Sequence, residues 1–324
     1  KEMYPESIII SIISTNFTER GDISVLNKWD KTRICLENGI DLVIELPTLY
    51  ATQSSDIFAS AALKILNYFK IDTLVFGTES DDIDSLYKLA DTQLNNIGYD
   101  KLVKEYLSNG VNYPTAMSRA LNELTGVNVS CPNDLLALSY VKEIVRNKYP
   151  IKPISIKRSN DYHGNTIDSN IISANLIRKL LLENKDVTPY IPFSTNNYLY
   201  RDLSINNAFP LLKYKIINEM DNLDQYLTVD EGIENRILKY INKSGSWMEL
   251  VMNIKTKRYT YNKINRMLIH ILLGIKKNDN NKDIYLRILG FSDNGREYLN
   301  MIKKDINMPI YTSYKENISN IFDI

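Results

Sequence analysis

Cysteine, histidine and tryptophan are scarce in this 324-residue sequence, with two of each. Cys35 and Cys131 lie far apart, which excludes a disulfide framework and all but excludes a cysteine-based zinc site. Reduced thiols suit a cytosolic protein, and a cytoplasmic location is expected. His163 and His270 form no HxxxH or HExxH pair, so no metal site is expected. Net charge is also lacking: 39 Lys+Arg face 39 Asp+Glu. That balance excludes a histone-like polycation and an acidic tail, although local basic patches can hide inside it. The longest apolar runs, Ile8–Ile13 and Met267–Ile275, fall short of the ~20 residues that span a bilayer, so no membrane partner is expected. No signal peptide is visible, and the sequence opens in mid-pattern at Lys1-Glu2-Met3-Tyr4-Pro5, as expected if residues precede it. There is no GxxxxGK[ST], no GxGxxG after the first strand and no GxSxG. These absences disfavour a P-loop enzyme, a dinucleotide oxidoreductase and a serine hydrolase.

What is present is an alternation of short β-branched runs and helical spacing. Strands are expected at Ser7–Ile13, Asp41–Leu46, Asp72–Gly77 and Pro153–Lys157. Helices are expected at Leu26–Asn38, Ser54–Phe69, from Asp82, over Tyr99–Leu124, over Leu135–Arg146 and over Ser173–Leu182. Strands about 30 residues apart make βαβ units in series and predict a Rossmann-like, doubly wound parallel α/β sheet. Pro189, Pro192 and the Ser194–Asn197 stretch read as a linker. Beyond Pro210 the pattern reads as almost wholly helical. The expected division is therefore residues 1–190, catalytic, and 191–324, an all-helical domain. Charge divides the chain as well: Arg236–Lys277 holds ten Lys/Arg against one acid, Glu249.

In open α/β sheets, ligands bind beyond the carboxyl ends of the strands. Gly77, ending the third strand, can admit a nucleotide close to the backbone, or simply serve a tight turn. Arg158, ending the fourth, can hold phosphate, or pair with a surface carboxylate. Asn133 stands at a helix start, where capping is the ordinary role. Ser173, with Arg178 one turn on, opens a helix and suits either an anion site or an N-cap. Tyr259, Lys263, Arg266 and His270 recur at helical spacing, as in a stripe facing RNA phosphates or a solvated helix face.

Several segments together resemble the bacterial tRNA(Met) cytidine acetate ligase family. They are Asn16-Phe17-Thr18-Glu19-Arg20-Gly21-Asp22, Asn27-Lys28-Trp29 and Asn38–Pro47. Phe76-Gly77-Thr78-Glu79-Ser80, Pro132-Asn133-Asp134 and Ile156-Lys157-Arg158 with Tyr162-His163 follow. Ile172–Arg178, Lys255–Thr260 and Tyr285–Phe291 complete the series. The resemblance runs in order along nearly the whole chain. That family belongs to the HIGH-type nucleotidyltransferases, whose N-terminal strand and HxGH-type loop grip ATP. No such loop occurs here, so the sequence is expected to start after it, and to stop short of the family's usual C-terminal end.

The resemblance implies an ATP-dependent ligase. Acetate and ATP form acetyl-adenylate, and the acetyl group passes to the wobble cytidine of elongator tRNA(Met), giving N4-acetylcytidine. It implies that Gly77, Asn133, Arg158, Ser173 and Arg178 line the ATP site. It also implies that Lys255, Lys257, Arg258, Lys263 and Arg266 hold the tRNA. ATP enters as a substrate, magnesium is expected with it, and no DNA partner is expected. The residues name no catalytic base. Two other readings stay open: an enzyme of the same fold that adenylylates a cofactor precursor, and a non-catalytic RNA-binding protein on this scaffold.

Overall fold

The computed structural model describes residues 3–158, 171–199, 204–281 and 283–312. Tyr162, His163 and the loop expected over 159–170 lie outside them. In chain order the first elements are β1 (Ile10–Ser14), α1 (Lys28–Glu37), β2 (Leu42–Leu46), α2 (Thr48–Ala51), α3 (Ser55–Tyr68) and β3 (Thr73–Thr78). Next come α4 (Ile83–Asn95), α5 (Tyr99–Ser108), α6 (Tyr113–Thr125), α7 (Pro132–Asn147), β4 (Lys152–Lys157) and α8 (Ala174–Leu182). Then follow α9 (Phe209–Asn218), α10 (Ile233–Ile241), α11 (Trp247–Ile254) and α12 (Tyr261–Leu273). The last are β5 (Leu286–Phe291), α13 (Asp293–Ile302) and β6 (Ile310–Tyr311).

The chain forms two compact units. One comprises Lys1–Gln53, Leu180–Lys255 and Tyr261–Ile324; the other comprises Ser54–Lys179 and Thr256–Thr260. In the first, β1 and β2 pair in parallel, with Ile10 opposite Leu42 and Ser14 opposite Leu46. The connecting helix α1 starts at Asn27, whose side chain accepts from the amides of Trp29 and Asp30. Strand β2 is buried along its whole length. Its Leu42, Val43, Ile44 and Leu46 are fully buried, each worth about 1.5–3 kcal/mol. On its other edge β2 pairs antiparallel with β5. The helices of this unit close around fully buried Trp247, whose Nε1 donates to Asn265 Oδ1 at 2.8 Å.

In the second unit β3 and β4 pair in parallel, Gly77 opposite Ile156. Helix α3 turns buried Ala59, Ala61 and Ala62 inward. Leu86, Leu89, Ala116, Ala120, Leu121, Leu138 and Val141 join α4, α6 and α7 in one core.

Three expectations change. The helix read over Tyr99–Leu124 is two helices, broken at Gly110 with φ +83°. The part after Pro210 is not wholly helical, because β5 and β6 join the sheet of β1 and β2. The four expected strands pair as β1–β2 and β3–β4 in separate sheets rather than one. The compact units also differ from a single cut near residue 190. Hydrogen bonding of β5 to β2 returns the end of the chain to its beginning.

Candidate nucleotide site and basic surface

The second unit gathers Gly77, Arg158 and Asn133 around the end of β3. The Arg158 amide donates to the Thr78 carbonyl at 2.9 Å, so Arg158 leaves the sheet beside Gly77. Its side chain lies across that glycine: a Cβ at Gly77 would stand 3.5 Å from Arg158 Cγ. That is ordinary van der Waals contact, and Gly77 does not have a left-handed φ. Among the described residues, therefore, nothing in this unit requires glycine at position 77. Arg158 Nε is buried and has no hydrogen-bond partner among the described residues. A buried donor of that kind calls for an acceptor.

The turn after Gly77 is locked to the N-terminus of α7. Asp134 Oδ1 accepts from the amides of Glu79 at 2.9 Å and Ser80 at 3.1 Å. In return, Glu79 accepts from the Asp134 amide at 3.0 Å and from Asn133 Nδ2 at 2.5 Å. A carboxylate at a helix N-terminus is favoured by the partial positive charge there. Asn133 is not the cap expected of it. Cys131 occupies that position and Pro132 opens the helix, leaving Asn133 in the first turn with its amide held by Glu79.

Ser173 and Arg178 stand at the start and in the middle of α8. Buried Ser173 caps α8, its Oγ accepting from the Leu176 amide at 3.2 Å. Arg178 Nη1 donates to Asn175 Oδ1 at 2.8 Å. Glu79, Cys131 and Asp134 bring their ligand atoms within 4.8 Å of one another. This set does not fit magnesium. Both carboxylates already accept backbone amides, and a thiolate is a soft ligand where a hard oxygen is wanted.

The basic residues separate by burial. Lys255, Lys257 and Arg258 are exposed on the turn between α11 and α12. Lys263 is half-buried. Arg266 departs from its expected role as a tRNA contact. Its Nη1 donates to Glu19 Oε1 at 2.6 Å and to the Glu19 carbonyl at 3.0 Å, so its charge is engaged inside the unit. Tyr259 and His270 are buried, and the expected RNA-facing stripe does not exist. Burial explains the error: α12 buries the face that carries His270 among Ile264, Met267 and Ile271.

The family model for HIGH nucleotidyl transferase matches residues 1–323. The tRNA(Met) cytidine acetate ligase of Oceanobacillus iheyensis is 38% identical, over 94% of this chain and 82% of its own. That of Mesomycoplasma hyopneumoniae is 37% identical, over 85% of this chain and 86% of its own. The chain belongs to the HIGH nucleotidyl transferase family, among the tRNA(Met) cytidine acetate ligases. A solved member, Thermotoga maritima TmcAL bound with alpha-thio ATP, superposes with a TM-score of 0.87 at 27% identity. The match covers 99% of this chain and 81% of that one. The fold is thus that of a HIGH nucleotidyltransferase.

Within this family fold, Glu79 and Asp134 are the residues that sequence reasoning passed over as site-building groups. Each stood inside a quoted segment, but their reciprocal pairing spans 55 positions and is not visible along the chain. Glu45 was also missed. It is buried on β2, accepting from Tyr285 Oη at 2.9 Å and Lys28 Nζ at 3.1 Å, with Arg287 at 3.6 Å. Burial and the Glu45 charge push the Tyr285 hydroxyl pKa up, so it remains a donor.

Proposed function

We propose that this protein is an ATP-dependent ligase that acetylates the wobble cytidine of elongator tRNA(Met). The observation that carries the proposal is the identity of 33–38% to curated tRNA(Met) cytidine acetate ligases, spread over most of both chains. In the first step an acetate oxygen attacks the α-phosphorus of ATP. The bond to the bridging oxygen breaks, and pyrophosphate leaves with that electron pair. In the second step the exocyclic amine of cytidine attacks the acetyl carbon. AMP leaves, the amine loses a proton and N4-acetylcytidine remains.

Chemistry of this kind needs positive charge and donors aimed at phosphate oxygens more than it needs a covalent nucleophile. Arg158 supplies the cation, with its Nε, unpartnered among the described residues, available to phosphate or adenylate. Gly77 keeps the approach to β3 open, and Asn133 is oriented by Glu79. Ser173 and Arg178 enter only through the capped first turn of α8. Magnesium accompanying ATP would be held mainly by phosphate oxygens and water. Lys255, Lys257, Arg258 and Lys263 contribute to tRNA binding, while Arg266 acts as an internal clamp. An unstacked anticodon base is cheap to reach. Among the described residues no helix is long and apolar enough to cross a membrane. ATP, acetate and tRNA meet in the cytoplasm, where the proposed reaction runs.

The test is incubation with ATP, labelled acetate and unmodified tRNA(Met), followed by nucleoside analysis. Label in N4-acetylcytidine supports the proposal, and its absence overturns it. Two variants test the site. Arg158→Ala should abolish acetate-dependent ATP–pyrophosphate exchange while tRNA binding stays within about twofold. Gly77→Ala should fold with an unchanged melting transition, because its Cβ fits at 3.5 Å, and should bind ATP about tenfold more weakly. Equal loss of exchange and tRNA binding in Arg158→Ala would remove that arginine from the nucleotide site.

A further inference from the structure

With Arg266 and His270 of α12 engaged inside the first unit, α10 supplies a further candidate surface for RNA. Arg236, Lys239 and Tyr240 share one face of α10, and Lys243 follows in the turn just past the Asn242 C-cap. Arg236 Cζ lies 5.4 Å from the Tyr240 ring centroid, Lys239 Nζ 5.7 Å and Lys243 Nζ 6.0 Å. Three like charges around one ring repel one another, and cation–π attraction offsets only part of that repulsion.

Arg236 is fixed in this arrangement. Its Nε donates to the Ile254 carbonyl at 2.9 Å and its Nη2 to the Asn253 carbonyl at 3.1 Å. Those carbonyls end α11, and exposed Lys255 follows them directly. Lys239 and Lys243 are exposed, and neither forms an ion pair among the described residues. The nearest acid in sequence on the far side, Glu249, is held to the Gly245 amide at 2.8 Å. On α10 itself, Glu234 sits in the first turn and accepts from Asn235 Nδ2.

Cations near a helix C-terminus complement its dipole, which accounts for their position at the end of α10 and just past it. It does not account for their collection around one solvent-side ring without a carboxylate partner. A concentrated, uncompensated positive surface of this kind complements a nucleic-acid backbone.

We propose that the C-terminal end of α10, with Arg236, Lys239 and, just past the helix, Lys243 arrayed about Tyr240 and Lys255 continuing it, grips the phosphate backbone of the tRNA substrate. The inference rests on the tRNA reading above and adds to it a specific contact surface. Arg236 and Tyr240 fix the array, while Lys239 and Lys243 meet phosphates. Their contribution is sequence-independent and falls with salt.

The experiment compares the full chain with a Lys239→Glu/Lys243→Glu double variant. tRNA binding is measured over a salt series, and acetate-dependent ATP–pyrophosphate exchange is measured without tRNA. The double variant should bind tRNA at least about tenfold more weakly at ~0.1 M salt. The slope of log affinity against log salt should become shallower by about 1.5, the amount expected for two lost phosphate contacts. Exchange and the melting transition should match the wild type. A Lys239→Gln/Lys243→Gln variant should fall between the two. Unchanged affinity and slope in the double variant would overturn the proposal and assign this face to some other acidic partner. Failure of the wild type itself to bind tRNA would instead overturn the tRNA reading, and this contact with it.

Discussion

His270 is tied to two segments far from it in sequence. Its Nε2 lies 3.1 Å from Thr52 Oγ1, and its Nδ1 lies 3.1 Å from the Leu227 carbonyl and 3.0 Å from Thr228 Oγ1. A carbonyl only accepts, so Nδ1 carries a proton toward Leu227, while the Thr52 hydroxyl gives its own proton to the Thr48 carbonyl at 2.7 Å. Burial, with a smaller contribution from the nearby Arg266 charge, pulls its pKa down to about 4. Unfolded, the same group titrates near 6.5. Between these values the unfolded chain binds a proton that the folded chain does not. Stability is therefore full above pH 6.5 and falls as the pH drops toward 4, by about 3 kcal/mol in all. Urea unfolding at pH 7, 5.5 and 4.5 should show this loss, and His270→Gln should flatten it. An equally steep profile in the variant would take the effect away from His270. In the sequence this histidine looked like part of a basic stripe, because spacing gives a face but not its direction. Only burial among Ile264, Met267 and Ile271 assigns it to the interior.

At the scale of elements, the turn after β3 and the start of α7 stabilise each other through two carboxylates. Asp134 satisfies the Glu79 and Ser80 amides, and Glu79 satisfies the first turn of α7. Hydrogen bonds to a charged group contribute about 1.5–3 kcal/mol, and amides left without an acceptor cost more than a bond merely exchanged. Asp134→Ala should destabilise the protein by about 2–3 kcal/mol in denaturant. It should also weaken ATP binding, because the loosened turn directly follows Gly77 at the end of β3. Asp134→Asn, which keeps one acceptor oxygen, should cost about half as much. Unaltered ATP affinity in a destabilised Asp134→Ala protein would separate this turn from the nucleotide site. Most single elements were legible along the chain. The β-branched runs of β1 to β4 lie within a few residues of their expected bounds, and so do α1, α3 and α7. Strand β5 was not legible as a strand. A six-residue run such as Leu-Arg-Ile-Leu-Gly-Phe has no decisive period, and its partner β2 lies more than 240 positions away. The site was legible in part: Gly77 and Arg158 end paired strands, as strand-end logic requires, whereas the hold of Glu79 on Asn133 depends on tertiary contact.

Across the whole chain, sequence order and spatial order diverge, and this bears on how the protein comes apart. The composition shift near Pro189 and Pro192 suggests a catalytic piece of residues 1–190 that folds without the remainder. The first 53 residues are instead built into a unit with the C-terminal part. Strand β2 pairs with β5, Glu19 holds Arg266, and Glu45 is met by Tyr285 and Arg287. Gly21, at φ +79°, approaches α12 so closely that a Cβ there would stand 2.5 Å from the Arg266 amide nitrogen. A fragment ending at residue 190 lacks all of these partners. It would leave buried Glu45 facing Lys28 alone and expose the β2 edge that β5 covers. Residues 54–179, by contrast, keep β3, β4 and the core of α4, α6 and α7. Hydrogen exchange on the 1–190 fragment should therefore show strong protection in β3, β4, α4 and α7. The amides of β1 and β2 should exchange at least about a hundredfold faster than in the full chain. Full-chain protection of β2 in the fragment would mean that β1, α1 and β2 fold without β5, and the first unit would then divide near residue 190 after all.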